Sequence, residues 1–217
     1  MKIAVLGTGT VGRTLAGRLS ELGHDVTLGT RDPEATRTRE EYAAWAADQP
    51  AVVLATFPDA ASQADLVVHA SAGTAALEVL DAAGSANLAG KVLVDVSNPL
   101  DFSGGFPPTL SVKDTDSLGE QIQRAHPDAR VVKTLNTLTA ALMVHPETLG
   151  RQSTVFVSGE DAVAKRAVVD LLTAFGHPDV VDLGGIASAR GPEMYLPLWL
   201  RLMGALGTAE FNIRVVR

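Results

Sequence analysis

Gly7, Thr8, Gly9, Thr10, Val11 and Gly12 form a G-x-G-x-x-G turn near the amino terminus. Such a turn cradles a pyrophosphate when it joins a strand to a helix. Gly7 permits the tight turn, Gly9 lets the backbone approach the phosphates without a Cβ in the way, and Gly12 lets helix and strand pack closely. The free N–H groups and positive dipole end of the helix complete an anion site. About twenty residues on, where NAD-binding domains carry a ribose-binding acid, this chain carries Gly29-Thr30-Arg31. Arg31 can hold a 2′-phosphate through forked, charge-assisted hydrogen bonds, and Thr30 can donate one more. A hydrogen bond to a charged group contributes about 1.5–3 kcal/mol. The pairing predicts NADP(H). The alternative for Arg31 is a solvated loop arginine. Arg37 and Arg39 could add to the field that Asp32 and Glu34 oppose.

In an open α/β sheet, ligands lie outside the carboxyl ends of the strands. Ala70 and Ser71 are small and would let a cofactor cross. Asn98, followed by Pro99, and Asn136 can offer amides to a nicotinamide or to the second substrate; the alternative is a turn residue satisfying its own backbone. Of the five histidines, His24, His126, His145 and His177 fall in loop-like contexts and read as surface residues, and His69, inside a strand one position before its end, reads as structural, with a proton donor as the alternative. Glu193 reads as a first-turn helix acid, and Arg190 as a residue that could bind an anionic substrate. No histidine pair has metal-ligand spacing, and no metal site is expected. No residue stands out as an obligatory proton donor. Hydride exchange between two planar rings needs none at the reacting carbon, because proximity and orientation carry most of the barrier reduction.

The elements that must hold these residues follow from periodicity. Lys2–Leu6 reads as a buried parallel strand, and Val11, Leu15, Leu19 and Leu22 recur at helical spacing up to Gly23. Strands follow at 25–29, 51–55, 66–70, 91–95, 130–136, 153–157 and 180–183. Helices are predicted at 32–49, from 57, and at 75–83, 117–125 (capped by Asp114 or Asp116), 137–144 and 162–175. The alternation predicts a Rossmann-type, doubly wound parallel α/β sheet with a small helical carboxy-terminal portion. A nucleotide-binding domain over 1–150 is followed by a smaller portion over 151–217. The segment 193–209 is apolar nearly all round, which predicts burial on most sides. Residues 211–216 alternate like a final edge strand.

Composition narrows the partners. The 217 residues include 18 Lys and Arg against 25 Asp and Glu, a net charge of −7, which argues against nucleic acid or an anionic membrane. No cysteine is present, so disulfides, thiolate nucleophiles and Cys-based metal sites are excluded. The first strand begins within two residues of Met1 and no run of 18 apolar residues exists. A soluble, cytoplasmic protein is the expectation.

Taken together, the chain resembles the coenzyme F420-dependent NADP oxidoreductases over essentially its whole length. The resemblance is carried by Leu6–Gly12, Gly23–Asp32, Asp95-Val96-Ser97-Asn98-Pro99-Leu100, Lys133-Thr134-Leu135-Asn136-Thr137 and Pro197-Leu198-Trp199. It implies a homodimer that transfers hydride between NADPH and a deazaflavin, with Thr8, Thr30 and Arg31 on the NADP side. The family's archaeal members tend to carry another basic residue four or five positions after this arginine; here Ala35 and Thr36 occupy those places and Arg37 follows. Other acceptors (a ferric chelate, a quinone, an imine) and a non-catalytic NADPH sensor stand as alternatives.

Overall fold

Ile3, Ala4, Val5 and Leu6 are all buried, as a strand covered on both faces requires. Ile3 and Val5 point into one apolar layer, Ala4 and Leu6 into the other. In this computed structural model, which describes residues 1–217, the first half runs β1 (Lys2–Leu6), α1 (Thr10–Glu21), β2 (Asp25–Thr30), α2 (Pro33–Arg37), α3 (Glu40–Asp48), β3 (Val53–Thr56), α4 (Phe57–Gln63), β4 (Leu66–His69), α5 (Ala76–Ala83), α6 (Ser85–Leu88) and β5 (Val92–Asp95). A two-stranded hairpin, β6 (Leu100–Asp101) and β7 (Thr109–Leu110), follows. Then come α7 (Leu118–Ala125), β8 (Arg130–Thr134), α8 (Ala140–Val144), β9 (Thr154–Ser158), α9 (Ala162–Phe175), β10 (Asp179–Asp182), α10 (Arg190–Met194) and α11 (Leu196–Leu206).

The main sheet has the order β10-β9-β8-β5-β4-β1-β2-β3. From β3 across to β8 every pair is parallel. The order reverses between β1 and β4, the crevice where a doubly wound sheet receives its ligand. One apolar layer holds α1 and α9 against the sheet, and the other holds α4, α5 and α7.

The sheet is not parallel throughout. β9 pairs with β8 antiparallel, through Lys133↔Ser158 and Thr134↔Val157, and β10 runs parallel to β9. The chain leaves β8 at the carboxyl edge, stays there through α8 and the turn at Pro146–Leu149, and re-enters the sheet from that edge. A parallel β9 would need a full crossover back to the amino edge.

Four local expectations differ from the structure. The helical region after β2 is two helices, because Asp32 caps α2 at Ala35 N (3.0 Å) and the chain breaks at Thr38–Arg39. Ser117, not Asp114 or Asp116, caps α7: its hydroxyl accepts from Glu120 N at 3.1 Å and donates to Glu120 Oε2 at 2.8 Å. α11 is not buried on most sides; Leu196 alone is buried, and Leu198 and Leu206 are more than half exposed. A helix apolar all round needs cover on several sides, and a single chain supplies it only at the first turn. Residues 211–217 form no strand. They lie beside β9, where Ile213 O accepts from Thr154 N and Val215 N donates to Thr154 Oγ1. No helix is long and apolar enough to cross a membrane.

Candidate active site

The glycine turn sits between β1 and α1 as its spacing requires. A Cβ on Gly12 would lie 1.9 Å from Gly7 O, and one on Gly7 would lie 2.7 Å from Ala70 O, with φ already at +126°. Gly9 differs: a Cβ there would meet nothing within 4 Å. The turn is therefore packed tightly on the protein side and open on the ligand side. Gly9 is also the N-cap of α1, which has no side-chain cap and no acid in its first turn. The orphan N–H groups of that turn face the open space with no competing carboxylate. Thr8 and Thr10 flank Gly9 on the same open side, and Arg13 holds the loop from behind, its Nη1 donating to Thr8 O at 2.9 Å.

At the end of β2, Arg31 extends into solvent with its side chain 73% exposed and its Nη2 2.6 Å from Glu78 Oε1. Thr30 is buried, and its hydroxyl meets Thr36 Oγ1 at 2.8 Å. The Thr30 side chain thus fastens β2 to α2 and directs Arg31 outward. Arg37 pairs with Glu34 on the exposed face of α2.

A cavity of about 270 Å³ opens at the carboxyl ends of β4 and β5, with Val11, Ser71, Thr74, Ser97, Asn98 and Met143 among its walls. Ala70 forms part of it and lies against the back of Gly7. Asn98 lines the cavity, and buried Asn136 lies directly behind it. Asn98 Nδ2 donates to Asn136 O (2.8 Å), and Asn136 Nδ2 donates to Asn98 Oδ1 (2.9 Å) and to Pro192 O (3.0 Å). Neither is a turn residue satisfying its own backbone: the pair ties the loop after β5 to the loop after β8 and to α10. Leu135, just before Asn136, adopts φ +58°, a left-handed conformation that carries a strain of about 1–3 kcal/mol. Pro99 is buried beneath the hairpin, where its carbonyl accepts from Ser111 N at 2.8 Å.

Behind the cavity runs a buried polar chain that reading along the sequence does not reveal. Ser71 Oγ lies 2.6 Å from His69 Nε2, and His69 Nδ1 lies 2.9 Å from Asp95 Oδ1. Asp95 also accepts from Ser97 N and Oγ and from Lys133 Nζ. Lys133 Nζ reaches Glu193 Oε1 at 2.8 Å, and Glu193 accepts from Leu118 N and Gly119 N at the amino end of α7. His69, Asp95, Lys133 and Glu193 are each no more than 1% exposed. Burial alone would raise the Asp95 carboxyl, but the Lys133 ammonium beside it and the His69 hydrogen bond hold it well below the usual carboxylate range. Burial likewise opposes the Lys133 charge, and Asp95 and Glu193 overcome that and hold its ammonium above the ordinary lysine value.

Three residues stand elsewhere than sequence reasoning puts them. His126 and His177 are buried, not surface residues; His177 Nε2 donates to Met143 O at 2.9 Å. Arg190 is held by Glu120 through Nε (2.8 Å) and Nη2 (2.5 Å), which leaves that guanidinium fork engaged within the protein. Glu193 does lie in the first turn of α10, but its carboxylate serves α7 and Lys133. The signal in the sequence was a lysine inside a run that otherwise reads as a central strand, since lysine is almost never buried unless paired.

Three comparisons bear on this geometry. Residues 2–99 match the family model described as NADP oxidoreductase coenzyme F420-dependent. The F420-dependent NADP reductase of Methanothermobacter thermautotrophicus is 32% identical over 209 residues, covering 93% of this chain and 89% of that one. Rat metalloreductase STEAP3 is 31% identical over 203 residues, which are 91% of this chain; they span only 38% of STEAP3. A solved structure of a candidate F420-dependent NADP reductase from Arthrobacter sp. FB24 superposes with a TM-score of 0.98 at 60% identity, covering all of both chains. The chain belongs to the coenzyme F420-dependent NADP oxidoreductase family.

Proposed function

We propose that this oxidoreductase transfers hydride between NADP(H) and the deazaflavin coenzyme F420, or a flavin-like acceptor of the same shape. The observation that carries the reading is the open, uncapped amino end of α1 at Gly9, with Arg31 exposed at the neighbouring strand end and held there only by its surface pair with Glu78. Gly7, Thr8, Gly9, Thr10, Val11 and Gly12 hold the pyrophosphate through backbone N–H groups and the helix dipole. Arg31 holds the 2′-phosphate, and Thr30 sets the strand end from which Arg31 reaches out. Ala70 and Ser71 lie beside the nicotinamide, and Asn98, Pro99 and Asn136 shape the side where the acceptor enters. NADPH supplies the hydride; the chain supplies proximity, face-to-face orientation and exclusion of water.

The family resemblance and the exposed apolar residues of α11 support a homodimer, with the 151–217 portion contributing the interface and one side of the acceptor pocket to the 1–150 nucleotide-binding portion. We assign the reaction to the cytoplasm. The test is the absorbance of oxidised F420 on mixing with protein and NADPH, with NADH in parallel. Bleaching at a catalytic rate with NADPH supports donor and acceptor together. Tight NADPH binding without bleaching removes F420 as acceptor. The likeness to a metalloreductase makes a ferric chelate the second acceptor to try.

A further inference from the structure

Ser71, His69 and Asp95 form a hydrogen-bonded line that begins at the wall of the cavity and ends on a fixed buried carboxylate. An ionised carboxylate only accepts hydrogen bonds. Asp95 accepts from Lys133, from Ser97 twice and from His69, so His69 Nδ1 must be the donor in that contact. The other ring nitrogen, Nε2, is then the only one that can gain or lose a proton. It faces Ser71 Oγ at 2.6 Å, and Ser71 is half-buried and lines the cavity. The line therefore has one end locked and one end able to exchange a proton with whatever occupies the cavity.

We propose that Ser71, backed by His69 and Asp95, supplies the proton that the acceptor takes up as it receives hydride. The proposal rests on the hydride-transfer reading above. Reduction of a deazaflavin, or of any conjugated acceptor of two electrons and one hydride, leaves an electron pair on a heteroatom that must be protonated. Ser71 gives its O–H proton to that atom, and its oxygen keeps the electron pair of the broken bond. His69 then passes its Nε2 proton to the Ser71 oxygen and ends as neutral imidazole. The hydride and its two electrons come from the dihydronicotinamide, which ends as NADP+. Once the product has left, Ser71 Oγ takes a proton from solvent and passes its own to His69 Nε2, which restores the imidazolium. The net reaction consumes one NADPH, one acceptor and one proton. The groups facing His69 are Asp95 from β5, with Lys133 of β8 and Glu193 of α10 behind it, and Leu6 on the β1 side is apolar. The negative charge of Asp95 stabilises the imidazolium that starts the step. Acceptor reduction consumes a proton and therefore slows as pH rises, and NADP+ reduction, which releases one, speeds up.

The decisive experiment compares the wild type with Ser71→Ala and Ser71→Thr. Three quantities are read: NADPH affinity, the single-turnover rate of NADPH oxidation in H2O and D2O against pH, and the imidazole 15N shifts of His69 without cofactor. Ser71→Ala should lose roughly 100-fold in rate beyond any change in NADPH affinity, and lose the solvent isotope effect and the pH dependence. Ser71→Thr should restore both. In the wild type, the 15N shifts should show His69 Nδ1 protonated throughout, as its donation to Asp95 requires. A wild-type rate in Ser71→Ala, a loss that tracks NADPH affinity, or a His69 with no proton on Nδ1 would each overturn the relay. Failure of the F420 reading looks different. The wild type then bleaches no F420, and the same rate series is run with menadione, which also takes up hydride and proton, while the 15N shifts of His69 are unaffected.

Discussion

Arg31 Nη2 lies 2.6 Å from Glu78 Oε1, an ion pair that bridges the end of β2 and the first turn of α5. Both side chains are more than 70% exposed, and such pairs contribute about 0–1 kcal/mol. Glu78 is thus a weak competitor for the guanidinium, easily displaced by a phosphate. Arg31→Ala should weaken NADPH binding roughly tenfold or more, the loss of a charge-assisted contact, and leave NADH nearly unchanged. Glu78→Gln should tighten NADPH up to about fivefold. Fluorescence titration with both nucleotides checks this; equal losses for NADPH and NADH in Arg31→Ala would remove the 2′-phosphate assignment.

The glycine turn separates two roles that a motif alone leaves merged. Gly12→Ala places its methyl 1.9 Å from Gly7 O, so strand and helix must part, and both stability and nucleotide binding should fall. Gly9→Ala meets no atom within 4 Å and has an extended backbone with φ −71°. It should fold with an unchanged melting temperature and lose NADPH affinity, because the methyl occupies the approach of the pyrophosphate. A Gly9→Ala protein with wild-type NADPH affinity would mean that the phosphates bind elsewhere.

Lys133 is the hinge of the buried charge chain, within 2.8 Å of both Asp95 and Glu193. Removing one partner of a buried ionic group leaves charge uncompensated, at a cost of about 3–5 kcal/mol. Lys133→Met, close in volume, should therefore lower the free energy of urea unfolding by an amount in that range. A change under about 1 kcal/mol would show that Asp95 and Glu193 are satisfied by their backbone and hydroxyl donors alone.

The placement of the glycine turn and Arg31 at strand ends was legible because its signal is local. Gly7 to Gly12 and Arg31 lie at ends of elements whose periodicity can be read directly. The relay was not, because its members meet only through the sheet order. His69 and Asp95 are 26 positions apart and touch because β4 lies beside β5. Lys133 reaches Asp95 because β8 lies on the other side of β5. Glu193 arrives from a helix beyond the sheet. The reversal of β9 escaped for a related reason: strand periodicity carries no direction, and only the short path through α8 sets it.

The apolar stripe of α11 gives a further test. Leu198 and Leu206 are 55% and 57% exposed, while Trp199 stacks on Phe211 at 5.3 Å between ring centroids and fixes the tail against the helix. On the dimer reading, Leu198→Glu and Leu206→Glu each place a charge in a dry contact and should shift the protein to monomer in sedimentation velocity, with little change in monomer stability. A wild type that is monomeric at micromolar concentration would end that reading.

Stability against pH should fall in two stages on the acid side. Burial lowers the His177 imidazole, which the hydrogen bond with Met143 only partly offsets, and burial lowers His126 against the pull of Asp81. In the unfolded chain both return to about 6.5. Below that value the unfolded state binds more protons than the folded one, so stability declines as pH falls. The second stage comes from carboxylates. Asp116, lowered to about 2 chiefly by its hydrogen bonds from Arg124, and Asp95, lowered by Lys133 against its own burial, contribute stability that is present above about 3.9. That contribution disappears as pH falls toward the folded values. Melting temperatures from pH 7.5 to 3 should show a shallow decline beginning near 6.5 and a steeper one below about 4. His177→Gln starts lower, having lost its fit against Met143, but its decline between pH 7 and 5 should be shallower than the wild type's. A wild-type curve flat across that interval would mean that the two histidines are no harder to protonate folded than unfolded.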